Sequence, residues 1–317
     1  NRSYCRNKIN KPMLNAIAKK NKLSLGLFFP IEAYKGSIPT MQNQIALAQK
    51  AEAIGFKALW FRDVPFHDPR FGDAGQLYDP WIYMTHIMNH TKKIQLATGS
   101  IILPLRHPVH IAKAAFSLQN LSEGRLILGV ASGDRPVEYP AFNKDINNRS
   151  ELFRESFQYI RDLEKSFPTI HQPNTGIING DIDLLPKPIS TIPLLITGHS
   201  GQSLKWIATN SDGWIYYPRD IKSLEINLQN WTDNLEKASQ PWKPFSQSLY
   251  IDLLEDIEAK PKPIHLGFQL GAKYLLDYLK VLESYGVNHV IINMKYGSRC
   301  ADAMLDDLGA HVLPHFN

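Results

Sequence analysis

Residues 96–133 read LATGSIILPLRHPVHIAKAAFSLQNLSEGRLILGVASG and hold a complete strand–helix–strand unit. Apolar and β-branched residues over 94–102 predict one strand, and RLILGVA at 125–131 predicts another. Pro108 falls in the first turn of the helix between them, where its missing N–H is tolerated. The helix residues expected to face inward are Ile111, Ala115, Leu118 and Leu121. Two apolar strands joined through a helix predict a parallel sheet that is buried on both faces.

The same alternation of a short apolar run with an amphipathic stretch recurs along the chain. The eight predicted strands are residues 24–29, 57–62, 94–102, 125–131, 193–197, 212–217, 248–254 and 288–294. Eight β-then-α units predict a (β/α)₈ TIM barrel over residues 23–317, preceded by a basic extension over residues 1–22. A doubly wound open sheet is the competing fold, but its GxGxxG fingerprint after the first strand is missing. A hairpin is predicted as an insertion over residues 176–185.

Composition excludes several classes of protein. The 317 residues are 44% hydrophobic and 21% charged, which is enough apolar sequence for a large core. No apolar run approaches the roughly 20 residues of a membrane span. The net charge of +5 comes from scattered basic residues without stacking aromatics, so neither nucleic acid nor membrane is an expected partner. Cys5 and Cys300 form no disulfide framework, and a reducing cytoplasm is the expected location.

Polar residues follow several predicted strands, and in a barrel these strand ends carry the chemistry. TGHSGQS at 197–203 joins small residues and serines to a helix start, where free N–H groups suit a phosphate. An ordinary serine N-cap explains the same pattern. HLGFQLG at 265–271 is a second possible phosphate site. His107 and His110 lie at a helix start without further ligands, so no metal site is predicted.

Residues 96–133 also resemble the core signature of the bacterial luciferase-like monooxygenase superfamily. The shared features are an HP pair that opens the helix, a Leu-x-x-Leu-Ser-x-Gly-Arg stretch and a fourth strand that ends in small residues. Residues 193–214 and 286–294 are similar to the fifth and eighth units of the same superfamily. The resemblance runs from about Leu23 to Phe316. It implies FMN, or the deazaflavin F420 as an alternative, at the carboxyl ends of the strands.

The resemblance also implies the residues that hold the cofactor. The phosphate would lie on the loop after the fifth strand, and the flavin ring along the ends of the third and fourth strands. The implied cofactor-binding residues are Thr98, Gly99, Ser100, Ala131, Ser132, Gly133, Gly198, His199, Ser200, Ser203 and Trp214. It further implies a strained, non-proline cis peptide bond near Thr98 to Ser100. Trp60, Trp214 and Tyr216 are expected either to wall the pocket or to belong to the core.

The function implied is an FMN-dependent oxidoreductase, specifically a monooxygenase that takes reduced FMN from a flavin reductase and oxidises a small organic substrate with O₂. An F420-dependent dehydrogenase and a non-catalytic flavin-binding protein remain alternatives, and a homodimer is expected. The sequence departs from luciferases after the second strand, where RDVPFH replaces their His pair. The predicted catalytic residues are therefore Asp63, Arg62 and His107. An Arg62–Asp63 salt bridge at the barrel rim is the structural alternative.

Overall fold

Eight parallel strands pair in a closed ring in the computed structural model, which describes residues 13–316. In chain order the strands are β1 (Ser24–Phe28), β2 (Ala58–Phe61), β3 (Gln95–Thr98), β4 (Ile101–Ile102), β5 (Leu126–Ala131), β6 (Thr169–Gln172), β7 (Gly176–Asn179), β8 (Leu194–Thr197), β9 (Gly213–Tyr216), β10 (Phe245–Leu253), β11 (Lys262–Ile264), β12 (Gly267–Leu270) and β13 (His289–Asn293). The ring runs β1, β2, β3, β5, β8, β9, β10 and β13, and β13 pairs back onto β1. The predicted (β/α)₈ barrel is confirmed.

Helices surround this ring. In chain order they are α1 (Gln44–Ile54), α2 (Pro80–Met88), α3 (Pro108–Leu121), α4 (Glu138–Ala141), α5 (Arg149–Leu163), α6 (Leu204–Asn210), α7 (Ile221–Lys237), α8 (Ala272–Tyr285) and α9 (Ala301–His311). Within residues 13–316, none is long and apolar enough to cross a membrane. Helix α3 buries Ile111, Ala115 and Leu118 as predicted, but Leu121 is 68% exposed. Leu121 lies ten residues after Ile111, and at about 100° per residue it is rotated roughly 80° away from the buried face.

Two local predictions were wrong. The inserted hairpin is β6–β7, centred on residues 173–175, and so begins earlier than predicted. Most of HLGFQLG is not a loop: Gly267–Leu270 forms β12 and pairs with β10. Its backbone therefore bonds to the sheet and does not form the second phosphate site.

The barrel interior is filled by a small apolar layer. It consists of Ala58, Trp60, Ala97, Ile127, Leu195, Ile215 and Ile291, together with Ile17 and Ala18. Ile17 is 1% exposed, and its carbonyl accepts from the Ser24 hydroxyl. Residues 17 and 18 were assigned from the sequence to a basic extension, but they pack against the interior layer beside the start of β1. Residues 1–12 of that extension, including Cys5, lie outside the described residues.

His289, at the start of β13, is fully buried and contacts Trp60 of this interior layer. The Trp60 indole N–H donates to Nε2 of His289 over 3.0 Å, and Nδ1 lies 2.7 Å from the Ser24 hydroxyl. An indole only donates, so Nε2 is the acceptor and the proton sits on Nδ1. Burial favours this neutral ring and lowers the pKa of His289 to about 3.

We expect this ring to make the fold sensitive to acid. The unfolded chain takes up a proton near pH 6.5, while the folded chain takes it up only near pH 3, so stability is lost as the pH falls below 6.5. The contribution of His289 to the free energy of unfolding should fall by about 2 kcal/mol between pH 7 and pH 5. Denaturant unfolding at pH 7, 6 and 5 measures it. The exposed His110→Gln variant should keep this dependence and His289→Asn should lose it; equal slopes in all three proteins would contradict the assignment.

Candidate active site

A cavity of roughly 500 Å³ opens at the carboxyl ends of the barrel strands. We call it the strand-end cavity. Its lining comprises Phe28, Arg62, Asp63, Val64, Phe71, Gly72, Asp73, Gly99, Ser100, Ile102, Ala131, Ser132, Gly133, Asp134, Arg135, Glu138, Thr197, Gly198, His199, Ser200, Ile215, Tyr216, Tyr217, Ser248, Tyr250, His265, Leu266, Ile291, Asn293 and Tyr296. Its volume is in the range of cofactor and ligand sites, and all eight ring strands or the loops that follow them contribute to its wall.

The turn between β3 and β4 forms one part of the wall. The Gly99–Ser100 peptide bond is cis, as predicted. A Cβ at Gly99 would lie 2.9 Å from Cε1 of Phe28, so only glycine fits there without displacing that ring. The Ser100 and Thr197 hydroxyls are 2.6 Å apart and join this turn to the end of β8. Thr98 is fully buried behind the wall, where its hydroxyl donates to the Gly129 carbonyl over 2.7 Å.

The loop after β8, residues 198–203, forms a second part of the wall, and we call it the β8 loop. Three of its residues have positive φ angles: Gly198 (58°), Ser200 (48°) and Gly201 (72°). The Ser200 hydroxyl donates to the Thr197 carbonyl over 2.9 Å and accepts from the Ser132 N–H over 3.2 Å. Within residues 13–316, the backbone N–H groups of His199 and Ser200 have no protein acceptor. Unpaired N–H groups in such a bent loop suit an anion.

Packing fixes the shape of the β8 loop. Gly201 lies against α5, where a Cβ would come within 2.0 Å of the Ser150 hydroxyl oxygen. The Gln202 amide donates to the Ser150 and Ser200 carbonyls. The Trp214 indole N–H donates to the Gly198 carbonyl over 2.7 Å. A Cβ at Gly198 would have only Tyr217 within 4 Å, so the glycine leaves open space beside the loop.

Asp63 and Arg106 form an ion pair at the rim of the strand-end cavity. Nε and Nη2 of Arg106 donate to the two carboxylate oxygens of Asp63 over 3.0 and 2.8 Å. The Ile102 N–H donates to the same carboxylate over 3.1 Å. The Asp63 side chain is 1% exposed, and both of its oxygens are engaged. Asp63 therefore ties the end of β2 to the β4 segment.

Arg62 pairs within the loop after β2, residues 62–79, which we call the β2 loop. Its guanidinium donates to Asp73 over 2.6 Å and to the Phe29 carbonyl over 3.2 Å. The Tyr34 hydroxyl donates to the other Asp73 oxygen over 2.5 Å. Burial opposes the charge of Asp73, but Arg62 and Tyr34 outweigh it and hold the pKa of Asp73 below its ordinary value. The Arg62–Asp63 salt bridge considered from the sequence does not form, because each residue has another partner.

Comparison with known proteins places this architecture in a family. The family model for luciferase-like monooxygenases matches residues 23–251. The chain belongs to the luciferase-like monooxygenase family. The resemblance stated from residues 96–133 is thereby confirmed.

Relatives of this luciferase-like chain include a monooxygenase and F420-dependent dehydrogenases. It is 25% identical over 60% of its length to the alkanal monooxygenase alpha chain of Photorhabdus luminescens, covering 52% of that protein. It is 30% identical over 57% of its length to an F420-dependent hydroxymycolic acid dehydrogenase of Mycobacterium tuberculosis, covering 51% of that protein. A solved structure of an F420-dependent secondary alcohol dehydrogenase in complex with an F420–acetone adduct has a TM-score of 0.77 at 18% identity, covering 93% of this chain and 99% of that one. The matched region thus spans about half of each of the first two enzymes.

Not all of the sequence-predicted site residues meet in this luciferase-like barrel. Gly99, Ser100, residues 131–133 and residues 198–200 line the strand-end cavity, as do Arg62 and Asp63. The structure does not bring His107 into the lining: it is exposed, and its Nδ1 accepts from the Val109 N–H as the cap of α3. Ser203 likewise caps α6 by accepting from the Trp206 N–H over 3.2 Å. Of the three proposed aromatic walls only Tyr216 lines the cavity; Trp60 and Trp214 are buried behind it.

Sequence reasoning missed the side of the luciferase-like site built by β10, by the turn between β11 and β12, and by β13 with the residues after it. Tyr250 extends from β10, and its ring centroid lies 5.0 Å from that of Tyr296 and 5.8 Å from that of His265. Burial raises the pKa of Tyr250 to about 12, so its hydroxyl stays protonated. Glu138, which starts α4, was also missed. Its signal was an acid between two prolines in the segment after the fourth strand.

Proposed function

We propose that this protein is an FMN-dependent oxidoreductase, and within that class a monooxygenase that uses reduced FMN and O₂ on a small organic substrate. The observation that carries the proposal is the β8 loop, which presents unpaired backbone N–H groups at a cavity on the carboxyl ends of the strands. Membership of the luciferase-like monooxygenase family supports oxidoreductase chemistry at this position. The named monooxygenase relative supports the choice within the class.

The residues present fit a flavin nucleotide. The phosphate would lie against the N–H groups of His199 and Ser200, in the space that Gly198 leaves open. The flat ring would lie along the β3–β4 turn at Gly99 and Ser100. Residues 131–133, at the carboxyl end of β5, would contact the edge of the flavin ring or the ribityl chain of FMN. Small residues at these positions leave room for a backbone-to-ring approach.

Reduced FMN, when bound, would supply the electrons with which O₂ is activated. The protein's own groups bind, orient and exclude water. The β2 loop contributes Phe71 and Asp73 to the wall, and it is held by Arg135, which donates to the Phe66 and Asp73 carbonyls. A separate flavin reductase would supply the reduced FMN and is the partner that we propose.

An F420-dependent dehydrogenase is the second candidate. It is supported by the 30% identical mycobacterial relative and by the superposition on the alcohol dehydrogenase. The lining of the strand-end cavity favours FMN over F420, whose tail carries additional carboxylates. Among the described residues the guanidinium groups in this lining, Arg62 and Arg135, are both engaged by protein oxygens. They do not offer a ready site for a polyacidic tail.

Titration of one protein preparation with FMN, reduced FMN and F420 tests the proposal. We expect FMN, in either redox state, to bind at least about tenfold more tightly than F420, which corresponds to about 1.4 kcal/mol. Binding is followed by quenching of tryptophan fluorescence, and oxygen uptake with reduced FMN is followed with an electrode. Tighter binding of F420 would replace FMN by the second candidate. Binding of FMN without any effect on oxygen uptake across substrates would leave a flavin-binding protein instead of an enzyme.

A further inference from the structure

Glu138 is a buried acid in the wall of the strand-end cavity with one oxygen left unpaired. Its side chain lies at the start of α4, and the residue is 4% exposed. The backbone N–H of Phe66, in the β2 loop, bonds to the carboxyl group. Oε1 has no hydrogen-bond partner among the described residues. A buried carboxyl oxygen without a partner is unfavourable, so the position indicates a donor supplied by a bound molecule.

The other charged groups of this wall do not satisfy Glu138, and Asp134, a further acid of the lining, opposes its negative charge. Asp63 is paired with Arg106, and Asp73 with Arg62. Arg135 is close enough to stabilise the charge of Glu138, yet its guanidinium donates to two backbone carbonyls and packs 4.7 Å from the ring of Phe71. Despite Arg135, burial raises the pKa of Glu138 above its ordinary value. The lining therefore offers an acceptor without offering a free cation.

The remaining walls carry several aromatic rings beside polar residues such as Ser248 and Asn293. Their rings are those of Phe28, Phe71, Tyr216, Tyr217, Tyr250 and Tyr296. Tyr250 and Tyr296 pack against each other at a centroid distance of 5.0 Å, with His265 beside them. Such walls favour a ligand with a flat or otherwise apolar body.

We propose that Glu138 is a specificity-determining residue that accepts a hydrogen bond from a hydroxyl or amino group of the substrate. The substrate class is then an alcohol or amine with a flat apolar body, and carboxylates and phosphate esters are disfavoured because they would oppose Glu138. This inference rests on the proposed function, since it assigns the substrate of the same cavity. The proposed contact of Glu138 with the substrate lies beside the β2 loop, whereas the proposed site of the FMN phosphate is the β8 loop.

Three matched probes test it: benzylamine, benzyl alcohol and benzoate. Each is titrated calorimetrically into the FMN-loaded protein and into the flavin-free protein. We expect the two donor-bearing probes to bind at least about tenfold more tightly than benzoate. Glu138→Gln, which keeps the size of the side chain and removes its charge, should reduce the benzylamine-to-benzoate preference by at least about tenfold. Glu151→Gln, an exposed acid on α5, should leave the preference unchanged.

Several outcomes would overturn the assignment. The assignment is wrong if the native protein binds benzoate as tightly as the other two probes. It is also wrong if a folded Glu138→Gln protein keeps the native benzylamine-to-benzoate preference. A tenfold loss of FMN affinity in Glu138→Gln with the probe preference intact would show that the flavin, and not the substrate, satisfies Oε1. If Glu138→Gln does not fold, Glu138→Asp replaces it: this variant has a shorter acidic side chain, and its benzylamine-to-benzoate preference should also fall. Failure of the native protein to bind FMN would remove the proposed function, while the probe titrations on flavin-free protein still decide the role of Glu138.

Discussion

Asp63→Asn should lower the free energy of unfolding by about 3 kcal/mol, because it removes the charge from a buried ion pair. The Asp63 side chain is 1% exposed and accepts three hydrogen bonds, two from Arg106 and one from the Ile102 N–H. An asparagine keeps one acceptor oxygen but places an amide donor against the guanidinium. Arg106 is partly exposed and retains Asp79 at 3.1 Å, which limits the loss to the lower end of the usual range of about 3–5 kcal/mol.

Urea denaturation followed by circular dichroism measures this loss. Asp306→Asn is the matched control, because it removes an acid from an exposed pair with Lys50 and should cost about 0–1 kcal/mol. The experiment also decides the role of Asp63 suggested by its position after β2. If Asp63→Asn keeps native stability but loses most of its turnover, Asp63 acts in acid–base catalysis. If the variant loses the stability predicted here, Asp63 has a structural role at the rim.

Ser200→Asp should weaken FMN binding at least about a hundredfold, which corresponds to about 2.8 kcal/mol. Ser200 is 8% exposed, lines the strand-end cavity and has a backbone N–H without a protein acceptor. An aspartate there would set a carboxylate beside the FMN phosphate in a partly dry site. Aspartate tolerates the positive φ of 48° at this position better than most residues, so the backbone of the β8 loop should be kept.

Ser203→Asp is the control for this change. Ser203 is exposed and caps α6, and aspartate is an equally good N-cap, so stability should be unchanged. FMN affinity should fall by less than about tenfold, since the added charge lies outside the cavity lining. Equal losses in both variants would place the phosphate at the start of α6. An unchanged affinity in Ser200→Asp would remove the phosphate from the β8 loop altogether.

The barrel was predictable because each of its parallel strands is buried on both faces and therefore forms a nearly continuous apolar run. The β3–β4 turn and the β8 loop were predictable as parts of the site because each directly follows an apolar strand and begins with Gly and Ser residues. The family resemblance added the cis bond at Gly99–Ser100, which no local pattern indicates. These features depend on residues that are near one another in the chain.

Contacts between distant segments explain what the sequence did not reveal. Asp63 and Arg106 lie 43 positions apart, and the sequence did not predict that they pair. The burial of Glu138 depends on the β2 loop, which precedes it by about 70 residues. Strand β12 was not predicted, because its short run of residues forms a strand only by pairing with β10. Ile17 was predicted to belong to the basic extension, but in the folded chain it packs against the interior of the barrel.

Ile17 and Ala18 pack against the interior layer at the end of the barrel opposite to the strand-end cavity. The residues of that layer are at most 8% exposed, so among the described residues they separate the strand-end cavity from the opposite end of the barrel. We therefore expect a ligand to enter and leave the cavity through the strand-end opening alone. A ligand that dissociates slowly would then block the entry of the next one.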